Sequence, residues 1–316
     1  MSNYIEHNSS IEAFNKQNET SWSIISKIEQ RIKNKIENAG IRLSDWDIEI
    51  NYGIKTGYNE AFIISNEERE RLLTSCATDK ERELTDELIR PILRGRDIKK
   101  YRYDYKDLYV ILAYFGSYKI LPIKYPTVFT YLSQFKSALE ARGQCRYTSS
   151  GKVNINHDYL GQHHWLELDN NPSLLKLEDF NTHRIIYNDI AQKLTFALAD
   201  PGVFINNTAY YIKGEMNTLK YLIAFLNSSI IDWYYRSISV QLGANAVRMF
   251  SIYMKNLPVP KATEKTKTQL LKLVDKILTL KHTSNENIDL LQKDIDKILM
   301  EIYNLTEDEM RIITHC

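Results

Sequence analysis

Two stretches of the chain carry residue types whose spacing could do chemistry. The first is Tyr52-Gly53-Ile54-Lys55-Thr56-Gly57-Tyr58-Asn59-Glu60-Ala61-Phe62. Glycines four apart around a Lys-Thr pair permit a sharp turn with outward backbone N–H groups, and both side chains can reach an oxyanion. Asn59 can brace such a turn or read a base edge, because its amide both donates and accepts. The same spacing also suits an ordinary β-turn ahead of a strand beginning at Ala61. In the second stretch Arg94, Arg96, Lys99, Lys100 and Arg102 surround one acid, Asp97. Tyr101, Tyr103 and Tyr105 then alternate with Arg102, Asp104 and Lys106, so an extended strand would put three aromatics on one face. The basic groups suit phosphates, with salt-dependent affinity; at least two of the tyrosines are expected in the core.

Other chemistries find little support. There is no GxxxxGK[ST] loop, GxGxxG turn, GxSxG elbow or HExxH pair. His157, His163 and His164 lie close in sequence, but no carboxylate or thiol at fixed helical spacing completes a metal site. Asp104-Tyr105-Lys106, with Asp97 upstream, has the acid-x-Lys form of metal-dependent nuclease centres, a pattern that chance also produces. The three cysteines, Cys76, Cys145 and Cys316, form no CxxC pair and cannot all pair with each other. That usage fits a reducing cytoplasm. No run approaches the roughly 20 apolar residues of a membrane span, and Met1 to Ser10 lacks an apolar signal core.

Net charge is only +1, but it is unevenly distributed. Glu60 to Glu87 holds nine acids and four bases, whereas Ile89 to Lys152 holds thirteen bases and four acids. Such segregation can give a nearly neutral protein one positive face; the alternative is a solvated surface balanced in three dimensions.

The elements that must position these residues fall into three regions. In residues 1–44, Ile25, Ile28, Ile32 and Ile36 recur at helical spacing, and Gly40 suits the C′ position that ends the helix. In residues 45–261, β-type runs at Ala61–Ile64, Tyr109–Leu112, Arg184–Tyr187 and Ala209–Ile212 mix with helical stretches. Those helices are expected over Asn66–Ser75, Pro126–Ala141 and Thr218–Tyr235. The irregular alternation predicts an α+β domain with a mixed sheet rather than a doubly wound one. Residues 262–316 follow the stiff stretch Leu257-Pro258-Val259-Pro260. Leu270, Leu273, Ile277 and Leu280, then Ile288, Leu291, Ile295, Ile298 and Ile302, predict an antiparallel helical hairpin joined by His282 to Glu286. Thr306 and Glu309 form a capping-box pattern for a last helix.

The glycine loop resembles the opening signature of the TaqI-like C-terminal specificity domain, the target-recognition half of restriction-modification methyltransferases, including type IIG enzymes. Later blocks agree in order. Ile92–Tyr101 is similar to the family's second block, and Lys124-Tyr125-Pro126 leading to Tyr131-Leu132 and Leu139–Arg142 resembles the third. Trp165–Leu168, Leu222–Ser228, Leu257–Pro260 and Ile295 through Glu309 follow. The likeness covers Trp22 to Ile313. It implies sequence-specific binding of double-stranded DNA beside a methyltransferase domain or subunit, in cis or in trans. The glycine-rich cofactor loop and Asn-Pro-Pro-Tyr-type motif of such enzymes have no match; Asn170-Asn171-Pro172-Ser173 lacks the second proline and the aromatic. The chain is therefore expected to be non-catalytic, to bind neither S-adenosylmethionine nor a catalytic metal, and to be a fragment or a free-standing specificity partner. In that picture Lys55, Thr56, Arg94, Arg96, Lys99, Lys100 and Arg102 are the expected grip on phosphates, Arg248 is a further candidate, and Gly57 is a DNA-binding candidate of the loop. Asn59 and the segment holding Arg142, Arg146, Lys152 and Asn154 are the expected base readers. A metal-dependent nuclease fragment or a protein-docking module are the alternatives.

Overall fold

The computed structural model describes residues 26–155, 158–243, 245–280 and 285–315. Ile25, His157, Ala244, His282 and Cys316, along with the lead from Met1, lie outside them. The described residues fall into two compact units, one over Ile48–Leu219 and one built from both ends of the chain, 26–47 with 220–315. Helices and several small sheets intermix, which is the expected α+β class.

The central unit has ten strands that matter here. They are β1 (Ile48–Tyr52), β2 (Ile63–Ser65), β3 (Ile89–Leu93), β4 (Ile98–Lys99), β5 (Arg102–Tyr103), β6 (Leu108–Ile111), β7 (Arg184–Asn188), β8 (Phe196–Ala199), β9 (Phe204–Ile205) and β10 (Ala209–Gly214). One sheet runs β8-β7-β10-β1, antiparallel throughout. Its inner strand β7 is buried on both faces from Arg184 to Tyr187, which is why Ile185-Ile186-Tyr187 reads as an unbroken apolar run. The other sheet runs β9-β3-β6-β2; β9 lies parallel to β3, and the remaining pairs are antiparallel. Phe62, Leu93, Ile111, Leu132, Ile186 and Ile205 belong to the core shared by these elements.

Three local expectations change. Ala61 and Phe62 end a helical turn over Asn59–Phe62, and the strand starts only at Ile63. Both side chains are fully buried, whereas consecutive residues of a strand would face opposite ways. The expected helix from Pro126 breaks into Pro126–Ser133 and Lys136–Glu140, where Phe135 turns its ring toward Tyr58 and Tyr131. The stretch from Thr218 divides into Met216–Leu226 and Ser229–Ile238, because the Ser228 side chain caps the second helix at the Ile231 N–H.

In the other unit the first helix spans Lys27–Ala39 and is capped reciprocally by Ser26 and Glu29. Gly40 follows it with φ −103°, in extended rather than left-handed backbone. The glycine is needed for close approach instead, since a Cβ there would lie 2.4 Å from the Pro258 carbonyl carbon. Ile41–Arg42 pairs antiparallel with Pro258–Val259, so part of the expected linker is a short strand. Helices over Glu264–Thr279, Asn285–Ile302 and Glu307–His315 close the chain. Leu270, Ile277, Ile288 and Ile295 are buried as expected. Val274 and Leu299 are also buried, whereas Leu273 and Ile298 are half-exposed. The second helix of the hairpin also meets a third neighbour: Ser229, opening its own helix, donates to Asp296 at 2.9 Å. The last helix begins with the expected capping box of Thr306 and Glu309.

Candidate nucleic-acid interface

The glycine loop leaves β1 and is stapled to the segment following β9. Gly53 N–H donates to the Ala209 carbonyl at 2.9 Å and Ile54 N–H to the Ile205 carbonyl at 2.7 Å. A Cβ at Gly53 would stand 2.2 Å from the Asn206 carbonyl oxygen, so only glycine lets the backbones approach. Gly57 has φ +72°, and a Cβ there would lie 2.3 Å from Asp169 Oδ1. Thr56 is buried, and its hydroxyl donates to Asn59 Oδ1 at 2.6 Å instead of facing solvent. Lys55 is partly exposed, with Nζ 3.7 Å from Asp169 Oδ2.

Beneath the loop lies a charged network that the sequence did not announce. Arg142, expected as a base reader, is buried, and its guanidinium is fully engaged inside. It donates to the carbonyls of Thr56, Leu139, Trp165 and Glu167 at 2.7–3.0 Å and to Asp169 Oδ1 at 3.1 Å. No donor is left for a base, so Arg142 positions the loop rather than reading DNA. His163, also buried, places Nε2 3.2 Å from Asp169 Oδ1 and Nδ1 2.9 Å from the His164 carbonyl. Two acceptors call for two N–H groups, so the ring is an imidazolium. Burial opposes that charge, but the hydrogen bond to Asp169, with Cys145 Sγ at 3.7 Å and the His164 carbonyl, raises the pKa to about 9. Burial likewise opposes ionisation of Asp169, yet His163, Arg142 and Lys55 hold it below its ordinary range. Glu167 is buried too, and accepts backbone N–H groups from Gly116 and His164 at 2.6 and 3.1 Å.

Above the network sits an exposed polar array. Asn170, next to Asp169, donates its backbone N–H to Gln144 Oε1 at 2.7 Å, and Gln144 Nε2 returns a bond to Asn170 Oδ1 at 2.7 Å. Asn170 Nδ2 donates to the Tyr52 hydroxyl at 3.1 Å, and the Tyr52 side chain is half exposed. Both Asn170 (φ +65°) and Asn171 (φ +48°) are left-handed. Asn170 is a residue that sequence reasoning missed, reading its string as punctuation between elements and as a degenerate catalytic motif. The Asn-Asn-Pro punctuation was a signal for unusual backbone, since asparagine tolerates that conformation best after glycine.

The basic stretch flanks the same segment from the other side. Asn206 N–H donates to the Leu93 carbonyl at 2.9 Å, and Gly95 N–H to Thr208 Oγ1 at 2.8 Å. The expected continuous strand is instead a tight hairpin. Strands β4 and β5 pair Ile98 with Tyr103 and Lys99 with Arg102 around a Lys100-Tyr101 turn. Tyr101 makes the turn possible: its φ is +63°, its side chain is fully buried, and its N–H donates to the Phe196 carbonyl at 2.8 Å. Tyr103 and Tyr105 pack partly buried against the core, and the Tyr103 hydroxyl donates to Asp200 at 2.6 Å. Arg96 and Lys99 are exposed, with Lys100 and Arg102 half-exposed beside them. Arg94 differs. Its Nε, Nη2 and backbone N–H all donate to the buried Asp97 carboxylate at 2.9 Å, which holds Asp97 below its ordinary range although burial opposes it. Arg94 therefore braces the turn, and Asp97 has no oxygen facing outward for a metal.

The other expected residues are scattered. Arg146 is exposed and lies over the Tyr147 ring at 5.6 Å; Lys152 is exposed, and Asn154 is half-buried with its N–H on the Leu160 carbonyl. Arg248 belongs to the other unit, where its guanidinium lies 5.5 Å over Phe250. His164 stacks on Tyr118 at 4.5 Å. Among the described residues no three His, Cys, Asp or Glu side chains are grouped to hold a metal, and no helix is long and apolar enough to cross a membrane.

Comparison with known proteins adds four likenesses. The family model described as the TaqI-like C-terminal specificity domain matches residues 90–259. A curated relative, the type II methyltransferase M.BstVI of Geobacillus stearothermophilus, is 22% identical over 298 residues, covering 92% of this chain and 46% of its own length. The chain thus spans a little under half of that relative. Among solved structures, the type IIL restriction-modification enzyme MmeI in complex with DNA superposes with a TM-score of 0.58 at 11% identity, over 87% of this chain and 35% of that one. The type IIG restriction endonuclease BpuSI gives 0.45 at 13% identity, over 87% and 32%.

Proposed function

Because the chain belongs to the TaqI-like C-terminal specificity domain family, we propose that it recognises a duplex DNA sequence for a methyltransferase or restriction-modification enzyme, and that it supplies no catalytic group itself. The observation that carries this reading is the convergence of two turns on one segment. The glycine loop and the backbone leading into the basic hairpin both bond the Ile205–Ala209 segment, through Gly53, Ile54 and Gly95, so the stretches that carry Lys55 and the Arg96–Arg102 cations are braced on one piece of chain. In the mechanism, Arg96, Lys99, Lys100 and Arg102 hold phosphates and fix the register. Lys55 adds a further contact, and Asn59, tethered by Thr56, reaches toward bases. Arg142 and Arg94 stiffen the turns from within. The methylating partner, in cis or in trans, forms the other wall of the cleft and brings S-adenosylmethionine.

Titration of the full chain against a random duplex pool at rising salt tests this. Affinity is expected to fall steeply with salt, and Lys99→Ala or Arg102→Ala to weaken all sequences alike, each reducing the log–log slope by about one. Absence of DNA affinity at low salt, or binding indifferent to alanine at Arg96, Lys99, Lys100 and Arg102 together, would overturn the proposal.

A further inference from the structure

We infer that the Tyr52–Asn170–Gln144 array is a base-reading device that recognises the acceptor-rich major-groove edge of a guanine. This rests on the DNA-recognition reading above and deepens it. Neither phosphate binding nor the core needs these three groups, yet they form a directed chain. Gln144 Oε1 accepts the Asn170 backbone N–H, which fixes the amide so that Nε2 faces Asn170 Oδ1. Asn170 Nδ2 in turn donates to the Tyr52 oxygen. Each internal bond uses one lone pair of an amide or phenol oxygen and leaves its second, and Gln144 spends the amide edge that could pair with an adenine, its oxygen and one N–H, on Asn170. The second N–H of Gln144, the second N–H of Asn170 and the Tyr52 hydroxyl proton remain directed elsewhere. Those three donors suit guanine, whose O6 and N7 both accept; an adenine would offer them one acceptor beside a donor, and a cytosine presents a donor.

The mounting supports the same conclusion. Two consecutive asparagines are held left-handed, a backbone that asparagine adopts at little cost and that fixes where the Asn170 amide stands. Here the residue before the pair is Asp169, locked by Arg142 and His163, and the Asn171 amide is tied to the Gln162 carbonyl at 3.1 Å. Gln144 lies two residues beyond the same Arg142. One buried network thus supports both halves of the array, and it also contacts Lys55 of the glycine loop. The donors are exposed while their supports are rigid, as recognition at a fixed distance requires.

The experiment selects bound duplexes from a random pool with the full chain, then with Asn170→Gly and Gln144→Leu. Glycine is at ease at φ +65°, so N170G is expected to keep the melting temperature while deleting the amide. The wild type should select a guanine at one position. Both variants should lose about tenfold or more of that preference while keeping the remaining positions. Replacing that guanine with 7-deazaguanine, which lacks N7, should weaken the wild type and leave the variants indifferent. If the wild type selects no sequence, the recognition reading fails and takes this one with it. A wild type that selects a site which both variants or the 7-deaza duplex leave unchanged overturns the array alone. Should N170G melt early, Q144L and the modified base decide the matter.

Discussion

The residues under the glycine loop form a balance of charges that pH can tip. His163 meets Asp169, Cys145 and His164, interacts with Glu167, and shares Asp169 with Arg142 and Lys55. With its pKa raised from 6.5 to about 9, it contributes stability that is fully present below about pH 6.5 and is lost as pH rises through 9. Asp169, depressed below 3.8, acts oppositely: its contribution is present above that value and is lost on acidification. Urea denaturation at pH 6.5 and 9.5 should reveal a drop on the order of a few kcal/mol, and His163→Gln should flatten the profile between those values. At Gly57 the backbone and the neighbour agree. Alanine there meets both a left-handed φ and the Asp169 carboxylate, so Gly57→Ala should cost about 1–3 kcal/mol by the same denaturation measurement, with loop strain as the cause. An unchanged midpoint would mean that the loop is free to move away from Asp169.

At the scale of elements, the clearest case is the pairing of the first helix with the last. Glu309 is buried, closes the capping box with Thr306, and accepts Arg31 Nε and Lys35 Nζ, each at 2.8 Å. Glu309→Gln should cost about 1–3 kcal/mol in thermal or urea unfolding, whereas Asp308→Asn, on the exposed face of the same turn, should cost almost nothing. The box itself could be read from Thr306 and Glu309 because it is local; the two bases from the first helix could not, since 274–278 residues separate the partners. The same division runs through the candidate interface. Strands β6, β7 and β10 and the helix over Asn66–Ser75 were legible from apolar patterning; the two glycines were legible as special backbone, left-handed at Gly57 but at Gly53 a close approach to Asn206 rather than a turn. Arg142 and Arg94 were misread as outward cations, because composition cannot tell a guanidinium that meets solvent from one that meets carbonyls. The hairpin at Lys100-Tyr101 also escaped: an alternating pattern announces a strand, and nothing local says that a buried tyrosine will take the left-handed turn. Asn170 and Gln144 lie 26 residues apart and meet only through the fold.

Across the whole molecule, the arithmetic charge of +1 conceals a local field. Exposed acids crowd the helices over Asn66–Ser75 and Asp79–Leu88, while Lys99, Lys100 and Arg102 gather on one hairpin with Arg96 in the turn before it. If recognition depends on that local field, position should outweigh number. Lys99→Gln should loosen DNA measurably, and Lys272→Gln, an equal change of charge on an exposed face of the other unit, should leave the anisotropy titration unmoved. Equal losses from both would argue for unspecific attraction to the whole surface. The chain enters the central unit at Asp47–Ile48 and leaves it at Leu219–Lys220, returning to the body it came from. The central unit is thus an insert, a cassette that two cuts could transplant. The upstream splice falls just before β1, but the downstream one falls inside the helix over Met216–Leu226. A graft that lengthened that helix by one residue would rotate everything after it by about 100°, so new specificities built this way must keep its count.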